Sequence, residues 1–221
     1  MPTLVPVIEG ESALEVERET ARYYDAEEDR DSRPLDPRRV AARDRFVGRA
    51  LAGPQDAPIL EVGTGPGRDA LALMEDGLDV IGVDLSRGHA GRAAARGVTT
   101  AVASARALPF ASNSFGGLWS MSTLMHVPAV WIDGAMREIA RILAPEAVVS
   151  IGVWAGPDIE HYGDGRPSPS GSRRLFSRRS EERWRSLLEI IGRIDDFEVW
   201  EEPDAPADAF RYHLAVVTAH R

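Results

Sequence analysis

The middle of this chain alternates between short apolar runs and stretches in which apolar residues recur at helical spacing. Residues 58–62 form a short apolar run ending in glycines, and 68–75 follow with a helical pattern closed by Gly77. Residues 78–83 read as a second strand that ends at Asp84, and 86–96 as a second helix closed by Gly97. A third strand is predicted over 98–103, a fourth over 117–121, a helix over 131–143 and a fifth strand over 147–154. Strands and helices that take turns in this way predict βαβ units and a parallel sheet covered on both faces. Ligands of such sheets sit outside the carboxyl ends of the strands.

The flanking segments carry other patterns. Asp36 and Pro37 signal a helix start, as N-cap and first helical residue. Val40, Val47 and Leu51 then recur at helical spacing up to Gly53-Pro54, where a left-handed cap and a helix breaker belong, so a helix is predicted over about 37–52. Residues 9–31 are acidic around the pair Tyr23 and Tyr24 and read as a solvated amphipathic helix or a mobile arm, outside the core. Residues 155–179, rich in Gly, Pro, Ser and Arg, read as a long structureless connection of the kind that is functional or disordered. A helix over 180–191 has Trp184, Leu187, Leu188 and Ile191 on one face, and two strand-like stretches, 197–200 and 212–218, close the chain. The expected organisation is an N-terminal helical arm or lid, 1–35, and a main domain, 36–221, with a lid or substrate insertion at about 155–179.

Composition narrows the chemistry. The 221 residues are 43% hydrophobic and 28% charged, enough for a core and too polar for a membrane protein. The formal charge of −9 repels a phosphate backbone, which argues against nucleic acid as substrate. Cysteine is absent, which excludes disulfides, thiolate metal sites and a cysteine nucleophile. Lysine is absent too, which removes Schiff-base chemistry and the P-loop lysine. No apolar run approaches the roughly 20 residues that span a bilayer. The first ten residues lack a signal-peptide pattern, so a cytoplasmic protein is expected.

The sequence Glu61-Val62-Gly63-Thr64-Gly65-Pro66-Gly67 follows a predicted strand and opens a predicted helix. Glycines there let the backbone turn tightly and approach a ligand. A dinucleotide fold would want glycine at the sixth position of the fingerprint, where Arg68 stands. Spacing G-x-G-x-G, with an acid two residues before the first glycine, is a different signature. Asp84, at the end of the next strand, offers a carboxylate that can accept both hydroxyls of a ribose. With these residues the chain resembles the class I S-adenosylmethionine-dependent methyltransferases of the small-molecule kind. Residues 59–67 are similar to that family's first motif and 80–86 to its second. Ala107-Leu108-Pro109-Phe110 with Asn113-Ser114-Phe115, Leu124-Met125-His126-Val127, and Arg141-Ile142-Leu143-Ala144-Pro145 resemble three further landmarks in the family's order.

The resemblance implies an α/β, Rossmann-like, doubly wound fold: a mostly parallel seven-stranded sheet with an antiparallel C-terminal strand pair. It implies S-adenosylmethionine as cofactor. Glu61 orients the loop and the methionine amino group, Gly63, Gly65 and Gly67 admit the methionine moiety, Asp84 holds the ribose and Leu85 covers the adenine. Ser104 and Ala105 stand where the family has an acid for the adenine amino group, so a serine hydroxyl or a backbone carbonyl takes that contact. Gly116, and Glu146 with Ala147, are further departures, read as structural. Ser120 on the fourth strand is counted with the cofactor residues, as is Tyr24, whose ring can fold over the sulfonium; the competing reading of Tyr23 and Tyr24 is an anchor for the N-terminal helix. For Glu61 and Asp84 the competing reading is helix capping.

His126, beyond the fourth strand, is a candidate general base, with a structural histidine as the alternative. His161, beside Glu160 and Tyr162 in the long connection, is a second catalytic candidate, against an incidental surface residue. Arg173, Arg174, Arg178 and Arg179 read as an anion-selecting cluster or a solvated charge run. Methyl transfer is an in-line displacement in which alignment supplies much of the effect. The expected acceptor is an oxygen or nitrogen of a small-molecule metabolite, on a monomer or homodimer. The rival reading is a non-catalytic module that binds the cofactor and serves a partner; a nicotinamide-dependent oxidoreductase is disfavoured by Arg68.

Overall fold

A computed structural model describes residues 12–27, 34–53, 57–163, 170–201 and 211–220. Seven strands form one sheet in the order β3-β2-β1-β4-β5-β9-β8: β1 (Ile59–Val62), β2 (Val80–Asp84), β3 (Thr99–Val102), β4 (Phe115–Met121), β5 (Leu143–Ala155), β8 (Gly192–Trp200) and β9 (Arg211–Ala219). The first five pair in parallel, with Leu60 beside Ile81 on one side and Leu118 on the other. β9 runs antiparallel between β5 and β8. The mostly parallel sheet with an antiparallel C-terminal pair is thus observed. Strand order reverses between β1 and β4, and the crevice at such a switch point is where doubly wound sheets bind ligands.

Helices cover both faces. α2 (Pro37–Ala52) starts where expected, with the Asp36 carboxylate accepting from Arg38 N, and α3 (Arg68–Glu75) and α4 (Arg87–Ala95) follow β1 and β2. α5 (Ile132–Ile142) and α6 (Glu181–Leu188) bury Ile139, Met136, Trp184 and Leu187 against one face of the sheet. On the other face Phe46 of α2 and Leu73 of α3 pack with Trp119 and Tyr212. β4 is buried along its whole length, as a central strand covered on both faces must be. Among the described residues no helix is long and apolar enough to cross a membrane.

Four expectations change. The N-terminal acidic stretch holds α1 (Ala13–Asp25), started by a capping box in which Ser12 and Glu15 satisfy each other's backbone N–H groups. α1 is packed, because Val16, Thr20 and Tyr23, at helical spacing, are nearly fully buried. Gly53 ends α2 in extended conformation, φ −76° and ψ 169°, because the following Pro54 disfavours helical angles in the residue before it. The connection over 155–179 is not structureless: β6 (Ile159–Tyr162) and β7 (Leu175–Arg178) form an antiparallel two-stranded sheet, Leu175 and Phe176 being buried. β8 begins at Gly192, separated from the end of α6 by three residues; a Cβ there would lie 2.0 Å from the Thr218 carbonyl oxygen, so only glycine admits so tight an entry.

Candidate active site

The glycine loop leaves β1 at the switch point. Gly63, Gly65 and Gly67 all have positive φ, at 80°, 54° and 88°. Gly63 N and Thr64 N donate to the Val83 carbonyl at 2.8 and 3.0 Å, which ties the loop to β2. The Asp84 carboxylate finishes that tie: Oδ2 accepts from Gly65 N at 2.7 Å and Oδ1 from Ser86 N at 2.8 Å. Neither motif carboxylate caps a helix. Ser86 caps α4 through His89 N, α3 starts from Gly67 with no side-chain cap, and Glu61 Oε2 accepts from Thr64 Oγ1 at 2.6 Å.

A narrow cleft of about 80 Å³ lies beside this loop. Gly63, Gly65, Asp84, Leu85, Ser104, Ala105 and His126 line it from the sheet side. α1 closes it with Glu17, Thr20 and Tyr24. Glu17 is a residue that sequence reasoning passed over. Its Oε1 accepts from Ser104 Oγ at 2.5 Å and its Oε2 from Arg106 Nη2 at 3.2 Å, so an acid from a distant helix stands beside the position where the motif lacks one. The signal was the i, i+3, i+7 spacing of Glu17, Thr20 and Tyr24, which puts the three on one helix face. Gly67 starts α3 and lines neither this cleft nor the larger cavity next to it. Ser120 also lines neither; it is fully buried and donates to the Val62 carbonyl at 2.9 Å, joining β4 to β1.

His126 ends a single 3-10 turn, Leu124–His126, just past β4. Its Nδ1 is 2.5 Å from the Leu175 carbonyl, which only accepts, so Nδ1 carries the proton. Nε2 lies 2.7 Å from the Tyr24 hydroxyl and accepts from it when the ring is neutral, and Arg174 Nη1 donates to that hydroxyl at 3.3 Å. His161 lies elsewhere. It sits on β6 opposite Phe176, ring stacked on ring at 5.5 Å, and lines neither cavity. Glu160 accepts from Ala129 N at 2.6 Å, and Tyr162 lies under the Arg173 guanidinium at 4.0 Å. The arginine cluster separates in space. Arg179 is fully buried and donates to the Leu124, Ser177 and Val127 carbonyls, and burial lowers its pKa to about 10. Arg174, also buried, turns instead toward Tyr24.

The larger cavity, about 350 Å³, meets the first at Tyr24, Gly63, Gly65 and Ser122. Its floor is a buried charge network. Asp69 Oδ2 accepts from Arg39 Nη2 at 2.5 Å and Trp119 Nε1 at 2.8 Å, with Arg43 3.8 Å from the other oxygen. Glu61 is held well above the ordinary carboxylate range by burial and by the charges of Asp69 and Asp84, against the lowering pull of Thr64 and Arg39.

Comparison with known proteins agrees with this geometry. Residues 60–151 match the family described as methyltransferase domain. A Mycobacterium sp. (strain JLS) protein named only as an uncharacterized methyltransferase is 33% identical over 171 residues, 72% of this chain and 67% of the relative. The chain belongs to the S-adenosylmethionine-dependent methyltransferases. Solved structures share the fold at lower identity. A methyltransferase from Methanosarcina mazei superposes with TM-score 0.63 at 19% identity, covering 75% of this chain and 93% of the other. Geranyl diphosphate C-methyltransferase from Streptomyces coelicolor A3(2), solved with Mg2+, geranyl diphosphate and S-adenosyl-L-homocysteine, does so with TM-score 0.66 at 16% identity, covering 92% and 98%.

The chemistry of the methyltransferase cleft suits its cofactor. A carboxylate at Asp84, the apolar Leu85 and the Glu17 carboxylate beside Ser104 are groups of the kind that a ribose and an adenine need. Room is a separate matter, because 80 Å³ is well under the roughly 300 Å³ at which small-molecule sites begin. α1 is fastened over the cleft largely by polar ties, Glu17 to Ser104, Tyr24 to His126 and Asp25 to Ser86.

Proposed function

We propose that this methyltransferase methylates an oxygen or nitrogen of a small-molecule metabolite. The cofactor, when bound, supplies a methyl carbon already activated by a sulfonium. An acceptor held in line with that carbon would take the methyl group, and the sulfonium would leave as a neutral thioether. The protein then has to align, to exclude water and to remove a proton where the acceptor carries one. Asp84 takes the ribose, Leu85 and Ala105 flank the adenine, and Ser104 with Glu17 meets its amino group. Glu61, whose carboxyl burial pushes above the ordinary range, takes the amino group at the methionine end, beside Gly63 and Gly65. Tyr24 stands between the two cavities, so an acceptor proton passes to His126 Nε2 through the Tyr24 hydroxyl.

The observation that carries this reading is the Asp84 carboxylate, which joins the glycine loop to β2 at the mouth of the cleft. Replacing it, as Asp84→Ala, is expected to weaken S-adenosylmethionine by about 1.5–3 kcal/mol, the range for a hydrogen bond to a charged group. Calorimetric titration measures this directly. Unchanged affinity in a folded variant overturns the ribose assignment.

A further inference from the structure

Arg179 stands in an unusual place for a cation. It is fully buried, and its guanidinium donates to three main-chain carbonyls: Val127 at 2.7 Å, Ser177 at 2.9 Å and Leu124 at 3.4 Å. Burial lowers its pKa, and the charge of Glu160 is the largest that opposes the fall. Taking a guanidinium out of water is costly, and an apolar side chain of similar volume would fill the space without that cost. Such a side chain would, however, leave the three carbonyls without the donors that Arg179 supplies. Those carbonyls belong to two separate segments, so the rigid guanidinium fork works as a clamp between them.

One segment is the 3-10 turn Leu124–His126 with Val127 after it, and the other is β7, where Ser177 lies. Leu124 and Val127 bracket His126, so the turn is gripped at its entry and its exit. Arg179 is itself anchored: its carbonyl accepts from Gly156 N at 3.1 Å, and its guanidinium lies 5.3 Å from the centre of the Trp184 ring of α6. A second tie comes from Glu160 on β6, opposite Ser177, which accepts from Ala129 N at 2.6 Å. On this doubly tied segment His126 sets Nδ1 against the Leu175 carbonyl and its ring edge-on to Phe176 at 5.0 Å, both on β7. In a neutral imidazole the hydrogen bond made by one nitrogen decides the role of the other. A slip of the turn along β7 therefore changes what Nε2 can do.

We propose that Arg179 and Glu160 are positioning residues for His126: they hold residues 124–129 on the β6–β7 sheet and thereby fix which ring nitrogen of His126 carries the proton. This deepens the reading of His126 as the group that receives the acceptor's proton, on which it rests, and the test keeps the two apart. The whole chain is labelled with 15N-histidine, and the ring nitrogens are recorded at about pH 8.5, well above the ordinary histidine pKa. His126→Gln identifies the His126 pair among the five histidines. A ring with one fixed proton shows two widely separated nitrogen shifts, and exchange between tautomers draws them together.

The wild-type pair is expected to be widely separated, with the proton on Nδ1. Arg179→Met is expected to narrow the separation by half or more, or to invert it, and Glu160→Ala to change it in the same direction. The pair of His213, on β9, is expected to stay as in the wild type. Glu160→Ala carries the test if Arg179→Met does not fold. A wild-type ring with one fixed proton on Nε2 refutes the reading of His126 as proton acceptor and leaves the positioning proposal to the variants. An averaged wild-type pair, a separation that survives in either folded variant, or a His213 pair that changes as much as that of His126 overturns the proposal.

Discussion

Asp69 is 1% exposed and serves three donors at once, so its substitution by asparagine is a sharp test of how this site is built. Oδ2 accepts from Arg39 Nε at 3.0 Å, Arg39 Nη2 at 2.5 Å and Trp119 Nε1 at 2.8 Å. Burial opposes the charge on Arg39, but Asp69 and other neighbours outweigh it, and the guanidinium holds its proton more tightly than usual. Asp69→Asn preserves volume and an acceptor for Trp119 while leaving Arg39 and Arg43 without their counter-ion. Breaking a buried pair costs about 3–5 kcal/mol. Arg39 keeps 23% of its side chain exposed, and water recovers part of the loss, so about 2–4 kcal/mol is expected. For a chain of this size that lowers Tm by about 4–16 °C. Urea titration followed by tryptophan fluorescence, with calorimetry for Tm, measures it. Arg39→Met in the Asp69→Asn background is expected to regain part of the loss, because one stranded cation is gone. A single variant that melts with the wild type refutes the reasoning, and so does a double variant less stable than the single one.

Three further outcomes concern the same region. Because the folded state holds the Glu61 proton to higher pH than the unfolded chain does, Glu61 favours folding most below the ordinary carboxylate range and loses that contribution as pH rises toward its raised value; Glu61→Gln is expected to remove this slope from the stability profile, and parallel wild-type and variant profiles would contradict it. Titration of S-adenosylmethionine in buffers of different ionisation enthalpy is expected to show proton release in the wild type and not in Glu61→Gln. Gly63→Ala places a Cβ 1.9 Å from Thr123 Oγ1 at a φ of +80°. It is expected to cost at least about 1–3 kcal/mol in urea titrations, relieved in part by Thr123→Gly, and an unchanged midpoint would show that the loop does not press on Thr123.

Much of the scaffold could be read locally. Helix α2 has a capping aspartate, a first-turn proline and apolar residues at helical spacing, and α3 lies between two glycines; each signal spans a few residues and survives without the rest of the fold. The glycine loop and Asp84 are legible for the same reason, since the backbone angles and the strand end they need are local properties. Other features join residues far apart in the chain. Glu17 reaches Ser104 across 87 positions and Tyr24 reaches His126 across 102, and no local period foretells either contact. β6 and β7 have four residues each and weak alternation, so their pairing depends on the helix and turn they pack against. Ser120 looked available for a ligand until the register of β4 on β1 turned its hydroxyl toward Val62. Arg38 and Arg39 of α2, Arg68 of α3 and Arg174, just before β7, came to line a common cavity only when the sheet and its helices brought them together. Propensity, caps and glycine angles act within a turn or a strand. The electrostatics of a site depend on which charges the tertiary fold buries side by side.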